Sequence, residues 1–353
     1  VDRFRWGIFG TGFVASKFAL GLKVLGNHEV VAVASRSQEK AKAFAAGLKV
    51  DAVCGSYAEI VGLTNVDAIY IATPPNVHKL HALMCIAASK AVLLEKPFAM
   101  NAAEAQAIRA AAQANGVFCM EAMWTRFNPA VQQLKNRVDA GELGEIHLLN
   151  GSFGIQEVHS ESNHLFNKSM GGGALLDRGV YLLSLAIYLL GKPDYVSGVL
   201  RCVEGGVDEQ AAITLGWQGK TTAQFSVSLI ADLPNNLSVS GSKARIELDA
   251  PIYRPSRLRV FASRASVRTP VQAPSNKDHI RESGALHQIH QHLLPLLMAK
   301  AGKKVNALYA GNAYHYQAEE VRQCVQSGKL ESAIMPLADS VAVMEVVDRL
   351  LAQ

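Results

Sequence analysis

Three polar residues lie where this chain is otherwise apolar, and their types suit proton transfer. Lys96 sits in Glu95-Lys96-Pro97, directly after the apolar run Ala91 to Leu94. A lysine at the mouth of a strand can hydrogen-bond a substrate oxygen and lower the pKa of a neighbouring acid. Asp177 and Tyr181 belong to Gly171-Gly172-Gly173-Ala174-Leu175-Leu176-Asp177-Arg178-Gly179-Val180-Tyr181, a glycine-rich loop that enters an apolar helix. Four residues apart, they share one helical face. Two polar groups on a buried helix are costly unless they have partners, and Lys96 across a cleft would provide them. Other readings stay open here: Lys96 as a surface residue in a salt bridge, Asp177 as a helix cap, Tyr181 as core.

Residues this far apart need a scaffold, and the N-terminus supplies its strongest signal. Gly10, Gly12 and Ala15 form a G-x-G-x-x-A element between an apolar run, Phe4 to Phe9, and a helix-compatible run, Ala15 to Leu25. A strand that ends in a tight glycine turn and feeds a helix aims the backbone N–H groups of Gly10, Thr11, Gly12, Phe13 and Val14, and the helix's positive end, at one spot. A pyrophosphate fits there. Gly10 allows the turn, Gly12 the approach of phosphates, and Ala15 close helix–strand packing.

The second strand, Val30 to Ala34, ends in Ser35-Arg36-Ser37. An Asp or Glu at that place binds the ribose hydroxyls of NAD. Here two hydroxyls and a guanidinium could receive a 2′-phosphate instead, which predicts NADP(H) over NAD(H). A solvated loop with an incidental arginine is the other reading.

Further strand–helix alternation follows. Strands are predicted at 67–72, 91–95 and 117–121, with helices at 38–47 (closed by Gly47), at 77–88, after an Asn101/Glu104 capping box, and from Asn128-Pro129 to Gly141. Such units imply a doubly wound parallel sheet whose ligand crevice lies at the carboxyl ends of its strands. Beyond Gly144 the pattern changes. A strand at 145–153 and a helix at 174–190 precede strands at 195–200, 209–215, 221–227, 237–240, 245–248 and 257–262. Without long intervening helices, this second sheet should be mainly antiparallel. Residues 264–283 read as a polar loop and the remainder as helical.

At 353 residues, with 49% hydrophobic and 18% charged residues, the chain reads as two globular domains. We place them at 1–125 and 126–353, with the C-terminal helix able to return to the first. The net charge of +5 comes from interspersed residues, with no basic stripe, so a nucleic-acid partner is not expected. Five scattered cysteines without a C-x-x-C pair suggest a reducing compartment. No signal-peptide core and no bilayer-length apolar stretch were read from the sequence, so the expectation is a cytoplasmic protein with no membrane partner. No metal site is expected: His287, His290 and His292 cluster without nearby acidic ligands and read as a helix face.

Together these elements resemble the glucose–fructose oxidoreductase / inositol dehydrogenase / MocA family. The resemblance rests on GIFGTGFVA, on Ala72-Thr73-Pro74-Pro75-Asn76-Val77-His78, on Glu95-Lys96-Pro97, on Met120-Glu121-Ala122-Met123-Trp124-Thr125-Arg126-Phe127 and on GGGALLDRGVY, in that order. It covers essentially the whole chain. The Met120 to Phe127 segment, the tyrosine at 181 and the tail from Tyr316 to Leu351 are most similar to dimeric dihydrodiol dehydrogenases and NADP-dependent D-xylose dehydrogenases.

The resemblance implies a Rossmann domain plus an α/β domain with an open, mainly antiparallel sheet that makes a homodimer interface. It implies oxidoreduction of a sugar or polyol, with Lys96 and Tyr181 as catalytic pair and Asp177 in support. Thr73, Pro75, Asn76, His78, Glu95, Lys96, Trp124 and Arg126 would line the cofactor site. The same fold includes non-catalytic NADP-binding regulators and aldose–ketose oxidoreductases that hold their cofactor tightly. Arg178 departs from the subgroup, which usually has an apolar residue there.

Overall fold

The fold comes from a computed structural model that describes residues 3–160, 163–203, 206–263, 275–276, 280 and 302–353. Strand β1 (Phe4–Phe9) leads through α1 (Phe13–Leu22), β2 (His28–Ala34), α2 (Gln38–Leu48), β3 (Val53–Gly55), α3 (Tyr57–Val61), β4 (Ala68–Ile71), α4 (His78–Ala87), β5 (Ala91–Leu94) and α5 (Ala102–Asn115) to β6 (Cys119–Glu121). These six strands form one parallel sheet in the order β3-β2-β1-β4-β5-β6. Every residue of β4 and β5 is buried, as strands covered by helices on both faces must be. The strand order reverses between β1 and β4, which opens a crevice at the carboxyl ends of those strands.

Local chemistry sets the helix ends. The Ser37 hydroxyl accepts a hydrogen bond from the Lys40 N–H and starts α2. That helix runs past Gly47, the expected stop, and closes on Lys49 in the left-handed region (φ 56°). The Asn101 side chain caps α5 by accepting from the Glu104 N–H, while the Glu104 carboxylate accepts from Met100 rather than from Asn101. Short β3 and α3 are additions to the sequence reading.

After α6 (Pro129–Asp139) comes β7 (Ile146–Gly154) and then α7 (Val180–Leu190). The remaining strands are β8 (Tyr195–Cys202), β9 (Asp208–Trp217), β10 (Thr221–Ser228), β11 (Leu237–Gly241), β12 (Ala244–Leu248), β13 (Arg257–Ala262) and β14 (Lys303–Asn306). They form an eight-stranded sheet with β7, ordered β14-β13-β12-β11-β7-β10-β9-β8. Its pairs are antiparallel except β7 with β10. Helix α7 packs on β7. On β10 buried residues alternate with the exposed Thr222, Gln224 and Ser226, so one face of this sheet is left open.

Helices α8 (His315–Gln326) and α9 (Leu337–Leu351) return to the first sheet. The Ala102 N–H donates to Asp348 Oδ2 at 2.9 Å. His28 on β2 takes the Trp6 indole N–H on Nδ1 at 2.9 Å and meets Glu319 of α8 through Nε2 at 3.1 Å. The buried apolar side chains of both sheets make one continuous core.

One stretch, Lys168–Leu190, does have the length and hydropathy of a membrane span, contrary to the sequence reading, and 83% of its apolar window is buried inside the fold. The five cysteines are unpaired. His287, His290 and His292, and most of the expected polar loop at 264–283, lie outside the described residues.

Candidate active site

The carboxyl end of β1 delivers the glycine turn. Gly10 has φ +99°, and a Cβ there would stand 2.5 Å from the Ala72 carbonyl oxygen, so the turn requires glycine. Gly12, the N-cap of α1, is different: a Cβ would meet no protein atom within 4 Å. The first turn of α1 therefore faces open space, and the unpaired N–H groups of a helix start are an anion cradle. Thr11 and Val14 are half-buried around it, and Phe13 is 73% exposed.

Beside it, β2 ends in Ser35, Arg36 and Ser37. Arg36 is exposed, and among the described residues no carboxylate pairs with it. Ser35 Oγ accepts from the Ser37 N–H at 3.4 Å.

The loop after β4 is built around two histidines. Thr73 is buried with its hydroxyl 2.9 Å from His81 Nδ1. His78 is buried, its Nε2 2.8 Å from the Thr73 carbonyl and its Nδ1 2.9 Å from the Pro97 carbonyl. It lies between the β4 and β5 loops, and burial pushes its pKa down to about 4, so the neutral ring donates its one N–H to one of these carbonyls at a time. Asn76 is exposed. Pro75 touches the other half of the molecule: a Cβ on Gly171 would come within 2.7 Å of its Cβ and 2.9 Å of Met100 Sδ. The three consecutive glycines thus let the loop lie against the first sheet's loops. Gly173 (φ +120°) leaves room for Asp208, whose Oδ2 accepts from the Leu175 N–H.

Asp177 does not sit on the regular α-helical face that its spacing from Tyr181 suggested. Leu175–Gly179 is a π-helical turn, and α7 starts only at Val180. Such one-turn widenings cluster at functional sites. This one aims both Asp177 and Tyr181 at Lys96. Lys96 Nζ donates to Asp177 Oδ1 at 2.7 Å and to the Asp177 carbonyl at 3.1 Å, and lies 5.1 Å from the centre of the Tyr181 ring. The Trp124 indole N–H donates to the Tyr181 hydroxyl at 3.2 Å. Lys96 is in a salt bridge, as its other reading had it, but with Asp177 in the cleft and with only 16% of its side chain exposed rather than on the surface.

These groups line one cleft of about 210 Å³ with Phe153, Ile155, Arg178, Tyr253 and Tyr314. A larger hollow of about 510 Å³ lies at the opposite, amino-terminal end of the first sheet, walled by Arg3, Arg5, Glu29 and Asp67. Arg3 there is paired with Glu29 and Arg5 with Asp67, and it holds none of the residues above.

Electrostatics in the cleft follow from burial and pairing. Burial works to lower the Lys96 pKa, but the adjacent Asp177 carboxylate and Tyr181 outweigh it and hold the ammonium above its ordinary value. Burial works to raise the Asp177 pKa, and Lys96 and Arg178 overcome it, so this carboxylate stays below its usual range. For Tyr181 burial wins: its pKa is raised although Lys96 and the Trp124 hydrogen bond pull it down. The lysine favours phenolate as the sequence suggested, yet the net result is a neutral phenol. Glu95 lies behind Lys96, buried, with Tyr70 donating to its Oε1, and burial raises its pKa to about 7.

Arg126 stands apart. Its guanidinium donates to Ser184 Oγ and O, to the Ile334 carbonyl and to Asp339 Oδ2, fully buried. It clamps α7 to α9 and does not line the cleft. Tyr253 and Tyr314 were not singled out from sequence; both come from segments between regular elements, where no periodicity marks a side chain's direction. Among the described residues no group of three or more metal-binding side chains is present.

Two family models match this chain. One, the Gfo/Idh/MocA oxidoreductase family with an NAD-binding Rossmann fold, covers residues 4–123, and the Gfo/Idh/MocA C-terminal domain covers 131–247. The chain belongs to the Gfo/Idh/MocA family. Bovine (Bos taurus) trans-1,2-dihydrobenzene-1,2-diol dehydrogenase is 34% identical over 350 residues, which span 98% of this chain and 95% of that one. The human (Homo sapiens) protein of the same name is 32% identical over 348 residues, with the same coverage.

Among solved structures, a 3-ketoreductase from Actinomadura kijaniata in complex with NADP and TDP-benzene superposes with a TM-score of 0.79 at 24% identity, over 99% of this chain and 98% of its own. A levoglucosan dehydrogenase in complex with NADH and levoglucosan reaches 0.82 at 18% identity, over 99% and 97%. Those two likenesses establish the shared fold. As a Gfo/Idh/MocA protein, the chain is an oxidoreductase acting on CH–OH groups, with a Rossmann domain for a nicotinamide dinucleotide.

Proposed function

We propose that this Gfo/Idh/MocA protein is an NADP(H)-dependent oxidoreductase that moves a hydride between the nicotinamide and a hydroxyl or carbonyl carbon of a sugar or related polyol. The observation that carries it is the meeting of Lys96, Asp177 and Tyr181 in one cleft at the carboxyl end of the parallel sheet.

The residues fit a dinucleotide. The open space above Gly12 suits a pyrophosphate, and the exposed Arg36 between two serines suits a 2′-phosphate, where a carboxylate would repel it. Gly10 to Val14 would hold the phosphates, Ser35 to Ser37 the adenosine end, and Thr73, Pro75, Asn76, Glu95, Lys96 and Trp124 the walls toward the nicotinamide. His78 stands behind them, its ring between the Thr73 and Pro97 carbonyls. Hydride acceptance and donation are the chemistry a bound nicotinamide supplies.

The chain's own residues handle the proton. In reduction the neutral Tyr181 phenol donates it to the substrate oxygen. In oxidation the phenolate form of Tyr181, stabilised by the Lys96 ammonium, takes the hydroxyl proton and becomes the phenol. Lys96 also orients the substrate oxygen, and Asp177 holds Lys96 in place.

The test is a nicotinamide absorbance assay with NADP and NAD across aldoses, ketoses, inositols and dihydrodiols. The trans-dihydrodiols belong in it because curated relatives are named for one. Turnover of at least one polyol class, with NADP preferred, is expected. A homodimer through the open face of the eight-stranded sheet belongs to the same proposal, and sedimentation equilibrium checks it.

A further inference from the structure

Arg178 is the charged residue of the cleft wall for which this proton-transfer scheme has no use. Each of the three guanidinium nitrogens donates a hydrogen bond within the protein. Nε donates to Asp177 Oδ2 at 3.2 Å, Nη1 to the Ile155 carbonyl at 3.2 Å and Nη2 to Glu157 Oε1 at 2.5 Å. Its planar face lies 5.2 Å from the Phe153 ring centre, and only 3% of its side chain is exposed.

The partner segment is itself fixed. The Glu157 N–H donates to the Leu229 carbonyl at 2.7 Å and the Gln156 N–H to Asp232 Oδ1 at 3.0 Å. Glu157 therefore approaches Arg178 from an anchored strand end.

Four charges then meet at the cleft: Lys96 and Arg178 against Asp177 and Glu157. They sum to zero. Glu95, behind Lys96, bonds to Tyr70 rather than opening into the cleft. Arg254 is exposed and stacks 5.6 Å from the Tyr253 ring centre, outside the cleft lining. Among the described residues that line this cleft, an anionic ligand finds no uncommitted cation, since Lys96 and Arg178 are both paired. It would have to break the Glu157–Arg178 pair and leave a carboxylate half-buried without its partner, a cost that an uncharged polyol avoids.

We propose that Glu157 is a specificity-determining residue: by neutralising Arg178 it restricts the cleft to uncharged polyols and excludes uronates and other anionic sugars. This rests on the reading of the cleft as the substrate site. Removing the Glu157 charge would free the Arg178 guanidinium to pair with a ligand carboxylate.

Equilibrium binding tests it without requiring turnover. Quenching of tryptophan fluorescence reports on the cleft because Trp124 forms part of its wall. D-glucose and D-glucuronate serve as the matched probes, titrated into wild type, E157Q, R178M and the E157Q/R178M double variant with NADP present. The wild type should bind glucose in preference to glucuronate. E157Q should shift the ratio toward glucuronate by about tenfold or more, the scale of one charge-assisted pair. R178M and the double variant should show no such shift, which ties the gain to the guanidinium. An unchanged ratio in E157Q, a shift of equal size in the double variant, or a wild type that binds neither probe would overturn the assignment. Turnover is scored separately: a lost hydride transfer with the binding preference intact would count against the roles of Lys96 and Tyr181 and leave the charge balance standing.

Discussion

Lys96 and Asp177 join the two halves of the molecule at one point: Nζ of the lysine that follows β5 lies 2.7 Å from Oδ1 of an aspartate in the π-helical turn before α7. The same ammonium takes the aspartate's main-chain carbonyl at 3.1 Å. Neither group could be buried alone at tolerable cost. Their pairing fixes where the Tyr181 phenol stands relative to the first sheet.

Tyr181→Phe keeps the ring that packs on Phe153 and removes only the hydroxyl. We expect kcat/KM to fall by about 10²–10⁴-fold, the range for a lost general acid or base, with NADP affinity unchanged. Because burial raises the Tyr181 pKa, oxidation by the wild type should keep accelerating with pH through the ordinary tyrosine range, near about 10, while reduction, which uses the neutral phenol, should hold its rate through that range and slow only above it. Initial rates in both directions across pH check this.

Two glycine variants separate folding from nucleotide binding. Gly10→Ala puts a Cβ 2.5 Å from the Ala72 oxygen at φ +99°, so a large drop in melting temperature is expected. Gly12→Val meets no protein atom near its Cβ, so melting should barely change while NADP binding is lost. Thermal melts with and without NADP decide between these outcomes.

Arg36→Ala should weaken NADP binding by about 1.5–3 kcal/mol, the range for a hydrogen bond to a charged group, and leave NAD binding nearly unchanged. Isothermal titration with both nucleotides measures the difference. Equal losses for the two would argue that Arg36 does not meet a 2′-phosphate.

Buried carboxyls set part of the pH dependence of stability. Burial raises the pKa of Glu121 from 4.5 to about 7, and its Oε2 has no hydrogen-bond partner. Between those two values the folded state keeps a proton that the unfolded chain has released, so this residue lowers stability as pH rises. Glu121→Gln should therefore flatten the slope of stability against pH in that window and stabilise the protein above it, by on the order of 1 kcal/mol. Urea denaturation at several pH values provides the measurement.

Much of this was legible in the sequence, for physical reasons that differ by element. Gly10 announces itself because only glycine accepts its backbone angle and the nearby Ala72 carbonyl. The buried strands β4 and β5 read as apolar runs because both faces are covered. Lys96 and Asp177 could be matched because a polar pair on an otherwise apolar helix needs partners from elsewhere in the fold. The π-helical turn was not legible: i, i+4 spacing looks the same whether one turn is widened or not. Strand β3 escaped because it has three residues and leaves Val53 half exposed at a sheet edge. Arg126, expected near the cofactor, is consumed by Ser184 and by Asp339 on α9, more than two hundred residues on, and nothing local in the chain foretells that partner.

Label transfer tests the central claim most directly. Sugars and polyols deuterated at the carbinol carbon are incubated with the wild type and NADP, and the reduced nucleotide is analysed by mass spectrometry. The account predicts deuterium in the NADPH formed from at least one of them, and a rate at least about 100-fold lower for Lys96→Met. Reduced nucleotide without deuterium, or an unimpaired Lys96→Met protein, would contradict it.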